Sequence, residues 1–245
     1  VHCPVYLKRM SSGGLSRQEQ LRLGLPWSPE FYKRALYSCG STLAACRAAL
    51  AEGVGATLAG GTHHAHRDRA EGYCLVNDSI VSATVLRQEG LVERVLVLDC
   101  DVHQGNGTAA LARHQEAIFA FSIHAKNNFP HRKEVGDLDI ALEDEVGDAH
   151  YLSQLNNALT GPLTAFEPQL VIYLAGADPY AGDRLGRLSL SPAGLLARDQ
   201  LVFDYCQRMG AAVTLCMAGG YAKQIEETAE IHAATVLEAA RRYRR

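Results

Sequence analysis

Four short, almost wholly apolar runs constrain the fold of this chain more than any other feature: residues 94–100, 117–123, 170–175 and 213–218. Runs of this length without polar alternation read as strands covered on both faces, the pattern of a parallel sheet. Helical stretches lie between them. Residues 29–52 open on Pro29, are rich in Ala and Leu, and stop before Gly53. Asn77-Asp78 caps a further helix running to about Glu89, and 148–166, 192–209 and 221–243 read as helices. A short strand over 56–59 is stopped by Gly60-Gly61. Buried strands alternating with helices give an α/β fold, a three-layer αβα sandwich around a mostly parallel central sheet. A length of 245 residues suits one such domain.

Open α/β sheets bind ligands outside the carboxyl ends of their strands. The unusual polar clusters are His63-His64, 99–106, 122–124, 178–183 and Gly219-Gly220-Tyr221. Each follows a predicted strand or occupies its last residues, so one site built from five loops is expected.

Asp101 and His103 stand two residues apart on a segment leaving a strand, where alternate side chains point the same way. Catalytic zinc usually takes three protein ligands and keeps one position open, and Asp178 at the same sheet edge supplies the third. One imidazole and two carboxylates suit zinc or ferrous iron. His63 and His64 are then placed for proton transfer. Buried imidazoles need an acceptor on the far nitrogen, and Asp99 and Asn106 flank the metal segment to serve. Gly219 and Gly220 let the last loop bend towards a ligand. Tyr221 is either a hydrogen-bond donor to a developing oxyanion or a packing residue at a helix start. Gly72-Tyr73 and Phe129-Pro130 are aromatic turns that either line an apolar channel or pack in the core.

Composition narrows the setting. Hydrophobic residues make up 47% and charged residues 21%, ordinary for a globular chain. A net charge of −3 gives no field that attracts nucleic acid. The one basic cluster, Arg241, Arg242, Arg244 and Arg245, reads as a solvated tail. The seven cysteines form no Cys-x-x-Cys pair, which points to reduced thiols and a cytoplasmic setting. No apolar run is long enough for a membrane helix, and no basic-then-apolar secretory pattern is visible in the first residues, which read as a mixed stretch without a strand.

The clusters together resemble the zinc-dependent histone deacetylases of the arginase/deacetylase fold, and within them class IV, with a composition of prokaryotic character. The matching segments are 60–65, Gly72-Tyr73-Cys74 with Asn77-Asp78, 99–107, Gly176-Ala177-Asp178, 182–186, 188–194 and Gly219-Gly220-Tyr221, in family order across residues 28 to 243. The resemblance implies zinc on Asp101, His103 and Asp178. It implies catalytic roles for His63, His64 and Tyr221, with Asp99 as partner of His63 and Asn106 as partner of His64. Substrate contacts fall to Gly72, Tyr73, Phe129 and Gly219. A structural potassium is implied on the side chains of Asp99 and Ser122 and the carbonyls of Asp99, Asp101, His103 and Ile123. The implied reaction is hydrolysis of N-acyl-lysine in a peptide or protein. Acylated polyamines or other small amines are alternative substrates, and a non-catalytic acyl-lysine-binding remnant is an alternative function. A binuclear manganese hydrolase is disfavoured, because Gln104 and Asn106 stand where extra carboxylates would be needed. Three departures matter. Asn106 replaces the usual Asp, as in class IV; Tyr73 replaces the usual Phe; and the chain starts after the family's first strand and channel loop. The expectation is thus a single catalytic domain over 1–245 lacking that strand. No direct nucleic-acid or membrane contact is expected, and the sequence carries no signal for oligomeric state.

Overall fold

All four apolar runs are strands of one six-stranded sheet. The computed structural model describes residues 1–244. The strands are β1 (Val54–Thr57), β2 (Val95–Asp99), β3 (Ile118–Ala125), β4 (Leu138–Leu142), β5 (Leu170–Leu174) and β6 (Ala212–Cys216), in the order β1-β6-β5-β2-β3-β4. Every pairing is parallel. The helices are α1 (Pro4–Ser11), α2 (Arg17–Leu23), α3 (Pro29–Glu52), α4 (Asp78–Gln88), α5 (Asn106–Ala112), α6 (Asp148–Thr160), α7 (Pro192–Met209) and α8 (Ile225–Arg242).

The two-residue period of the strands divides the core into two layers. Leu96, Leu98, Val171, Tyr173, Val213 and Leu215 pack with Tyr151, Leu155, Val202, Phe203 and Ile231 of α6, α7 and α8. Val95, Val97, Ile172 and Leu174 face the other way, against Cys46, Ala49, Ile80, Ala83 and Leu86 of α3 and α4. This is the expected αβα sandwich. A third cluster joins Tyr6, Met10 and Leu23 of α1 and α2 to Leu75 and Val76 of the loop before α4.

Several boundaries differ from the sequence reading. The strand expected over 56–59 is Val54–Thr57, and Leu58 beyond it is 84% exposed. Gly55 belongs to the strand because β1 lies close against α3; a Cβ there would sit 2.0 Å from the Ala45 carbonyl oxygen. The helix expected over 148–166 breaks at Gly161-Pro162, leaving a 3-10 turn over Pro162–Phe166. The mixed N-terminal stretch folds into α1 and α2. Ser16 and Glu19 form a capping box that the spacing Ser-x-x-Glu carries in the sequence. β4 carries no apolar run because it is an edge strand in which only Leu142 is buried. Arg241 and Arg242 are engaged within the fold, pairing with Glu238, and Arg242 also with Asp204. Arg245 of that cluster lies outside the described residues. All seven cysteines are free, and no helix among the described residues is long and apolar enough to cross a membrane.

Beneath the carboxyl edge of β5 lies a buried charge cluster. Arg198 is 0% exposed; it donates to Asp199 from Nε (3.0 Å) and to the Gly176 carbonyl from Nη1 (2.5 Å). Asp199 also accepts from Tyr173 and Thr235. Removing one member of a buried pair typically costs about 3–5 kcal/mol. Arg198→Met is therefore expected to lower unfolding free energy in urea by about that amount. A loss below about 1 kcal/mol would show that the cluster is not a structural anchor.

Candidate metal centre and active site

β2 and β5 are neighbours, but β2 leads outwards to β3 and β4 whereas β5 leads to β6 on the other side. This reversal opens a crevice at their carboxyl ends. Asp101 and His103 enter it from β2 and Asp178 from β5. Their ligand atoms lie within 4.8 Å of one another. His103 Nδ1 is 2.9 Å from Asp101 Oδ1 and 3.2 Å from Asp178 Oδ2.

Backbone donors fix both carboxylates. Asp101 Oδ1 accepts from the His103 N–H (2.9 Å), Asp101 Oδ2 from Gly219 (2.7 Å), and Asp178 Oδ1 from Val102 (2.9 Å). Asp178 Oδ2 is buried with no hydrogen-bond partner; its approach to His103 lacks hydrogen-bond geometry. A Cβ on Gly219 would fall 2.1 Å from this atom, so only glycine lets the loop close over it. Burial and the Asp101 charge push the Asp178 carboxyl up to about 7. Burial works against a charged His103, but the two carboxylates outweigh it and raise that imidazole to about 11. Such a cluster strongly favours an added positive charge, and its donor set fits a divalent metal.

The histidine pair sits on a loop that α4 anchors. The Asp78 carboxylate accepts from the N–H groups of Gly61 (2.9 Å) and Thr62 (2.8 Å) and from the hydroxyls of Thr42 and Thr62. Gly60 and Gly61 adopt φ of 82° and 75°, a left-handed bend that a side chain would strain. His63 Nδ1 then meets Asp99 Oδ2 at 2.6 Å and His64 Nδ1 meets Asn106 Oδ1 at 2.7 Å, with the two rings 4.1 Å apart. Burial would depress His63, but Asp99 and Asp101 outweigh it and raise it to about 9. Burial and the adjacent His63 charge hold His64 well below the usual histidine range. The two neighbouring imidazoles are thus pushed in opposite directions.

A cavity of about 930 Å³ stands over this floor, with Tyr73, Phe129 and Tyr221 in its walls. Phe129 meets His64 edge-on at 4.9 Å, and the rings of Tyr73 and Tyr221 are 6.3 Å apart. Gly72 and Tyr73 both have positive φ, in a turn whose N–H groups bond to the Arg22 and Leu23 carbonyls. A Cβ on Gly72 would reach 2.4 Å from His64 Cδ2. Tyr221 does not start a helix; α8 begins at Ile225, and the Tyr221 N–H is held by Asp183. Asp99 and Ser122 are register partners on β2 and β3, with Ile123 next along the strand.

The histone deacetylase domain model matches residues 1–237 of this sequence. The chain belongs to the histone deacetylase family. It is 39% identical over 232 residues to an uncharacterised protein of a Picosynechococcus strain, covering 95% of this chain and 77% of that one. It is 29% identical to the histone deacetylase-like amidohydrolase of Pseudomonas aeruginosa (91% of this chain, 63% of the relative) and 27% identical to Arabidopsis thaliana histone deacetylase 2 (91% and 60%). The chain thus spans about three fifths of the length of these two relatives. The crystal structure of a deacetylase homologue complexed with SAHA superposes with a TM-score of 0.84 at 25% identity, covering 97% of this chain and 68% of that one.

Within this histone deacetylase domain, His63, His64, Gly72, Tyr73, Asp101, His103, Phe129, Asp178, Gly219 and Tyr221 line the cavity, Asp99 and Asn106 stand behind the two histidines, and Ser122 and Ile123 lie on β3 beside β2. Three supporting residues were not singled out as parts of the site. Asp78 was read as a helix cap, although Asn77 fills that role by accepting from Ile80. Glu71 and Arg198 carried no motif of their own.

Proposed function

We propose that the chain hydrolyses the amide bond of N-acyl-lysine with one zinc held by Asp101, His103 and Asp178. The observation that carries this reading is a pair of buried histidines, each held by its own acceptor, beside a metal-suited cluster at the floor of one aromatic-walled cavity. When bound, zinc supplies Lewis-acid polarisation of the acyl carbonyl and makes water more acidic. His64 Nε2 takes a proton from the attacking water, with Asn106 fixing its ring. His63, held as a cation by Asp99, gives a proton to the departing lysine amine. Tyr221 donates a hydrogen bond to the developing oxyanion. Gly72 permits close approach beside His64, Tyr73 and Phe129 flank the acyl-lysine stem and exclude water, and Gly219 keeps the loop tight over the carboxylates. The reading extends to a structural potassium on the side chains of Asp99 and Ser122 and the Ile123 carbonyl, and to a reducing cytoplasm supported by the seven free thiols.

The test is zinc content together with turnover of acetyl-lysine, myristoyl-lysine and acetylpolyamine substrates. Zinc-dependent hydrolysis of an acyl-lysine peptide is expected. Turnover of the polyamine alone would move the substrate to small amines. A zinc-loaded protein that turns over none of them would make the domain a binding module, and two manganese ions per chain would overturn the mononuclear site.

A further inference from the structure

Asn106 presents two faces to its surroundings. Its Oδ1 lies 2.7 Å from His64 Nδ1, while its Nδ2 lies 3.1 Å from Glu71 Oε1 and 3.1 Å from His66 Nε2. The two flips of an amide are nearly identical in shape and opposite in consequence. With the oxygen towards His64, Nδ1 of that ring carries the hydrogen and Nε2 keeps a lone pair. With the NH₂ group there, Nδ1 must accept, the hydrogen moves to Nε2, and a base facing the cavity is lost. His66 does not decide between them, because a neutral imidazole nitrogen donates or accepts according to its tautomer. The Glu71 carboxylate does, because it only accepts.

Glu71 is itself well placed for this. Its side chain is 13% exposed, its N–H and carbonyl are tied to Cys74 in the turn that carries Gly72 and Tyr73, and Arg69 Nε donates to its Oε2 (3.4 Å). Asn106 cannot set its own orientation, whereas an aspartate there would accept from His64 in either flip. We propose that Glu71 is a positioning residue that fixes the Asn106 amide and, through it, the tautomer of His64. The proposal rests on the reading of His64 as the general base.

The test uses the ¹⁵N-labelled, zinc-loaded full chain. Long-range proton–nitrogen correlation spectra identify the tautomer of His64, assigned by comparison with His64→Gln. In the parent protein Nδ1 is expected to carry the hydrogen. In Glu71→Met the ring is expected to shift towards the Nε2–H form, with kcat down by about tenfold or more and KM little changed. Glu71→Ala, which opens onto the polar cavity beside Arg132 and Glu134, repeats the measurement should methionine prevent folding. Glu71→Gln, whose amide offers a carbonyl in one flip and an NH₂ group in the other, no longer only accepts and is expected to give a mixture of the two tautomers. In an Asn106→Asp background the added Glu71→Met is expected to leave the tautomer unmoved and its kcat penalty below about twofold, because no flip remains to be set. An unmoved tautomer in both Glu71→Met and Glu71→Ala, or an equal kcat penalty in the parent and Asn106→Asp backgrounds, overturns the proposal. Should no variant hydrolyse any acyl-lysine, the hydrolase reading fails, and the tautomer measurement still decides this one.

Discussion

Asp178→Asn is expected to strip the protein of zinc and, with it, of hydrolysis. Even outer partners of a metal ligand typically cost 10- to 100-fold in affinity when replaced, so a ligand itself is expected to cost at least about 100-fold. Stability should respond with two opposite signs. With saturating zinc the variant is expected to be the less stable, because a ligand present at about a thousand times its Kd adds about 4 kcal/mol to the protein that binds it. In EDTA the order should reverse. Asp178 shares the crevice with Asp101, its Oδ2 has no hydrogen-bond partner, and burial pushes its carboxyl up to about 7. The folded state then binds a proton that the unfolded state has released above about pH 4, so metal-free stability falls as pH rises from about 4 to about 7. Asparagine removes that dependence. Thermal melts of both proteins in EDTA and in zinc, at pH 5 and pH 7.5, read all four cases. A variant that retains one zinc per chain would remove Asp178 from the ligand set.

The same pair of strands shows what the sequence made legible. Val95 to Leu98 and Leu170 to Leu174 are apolar on both faces, which is legible because covering both faces leaves no room for alternation. Their carboxyl ends had to share an edge once the strands were parallel, and that placed Asp101, His103 and Asp178 together without any contact being known. The pairings of His63 with Asp99 and His64 with Asn106 were legible as types: imidazoles needing acceptors, with two acceptors flanking the metal segment. What was not legible depends on distance in the chain. Asp78 reads as a cap because its local sequence is that of a cap, yet its carboxylate is used by Gly61, Thr62 and Thr42 from two other elements. Arg198 lies within the helix expected over 192–209, and only the packing of α7 on the sheet brings it to the Gly176 carbonyl. The strand expected from residue 56 starts at Val54 because Gly55 lets it lie against α3, a contact that no local pattern announces.

Tyr221→Phe is expected to fold, to retain zinc and to lose about 100- to 1000-fold in kcat, the usual cost of one oxyanion donor. The surroundings make this a clean substitution. The residue is 39% exposed, so deleting its hydroxyl should change stability by no more than about 0.5 kcal/mol. Its main chain is held independently of the ring: Asp183 takes the Tyr221 N–H as well as those of Leu185 and Gly186, while Arg184 donates to the Tyr221 carbonyl. Phenylalanine therefore inherits the same loop. Burial raises the tyrosine hydroxyl above its ordinary value, so it keeps its hydrogen at neutral pH and acts as a donor. A donor used only once charge has developed lowers kcat and leaves KM nearly alone, whereas a wall residue that merely holds the acyl-lysine would raise KM. Steady-state kinetics on a single acyl-lysine peptide separate the two. A raised KM with kcat intact would leave Tyr221 as a wall of the cavity beside Tyr73, and near-parental values of both would remove it from the reaction.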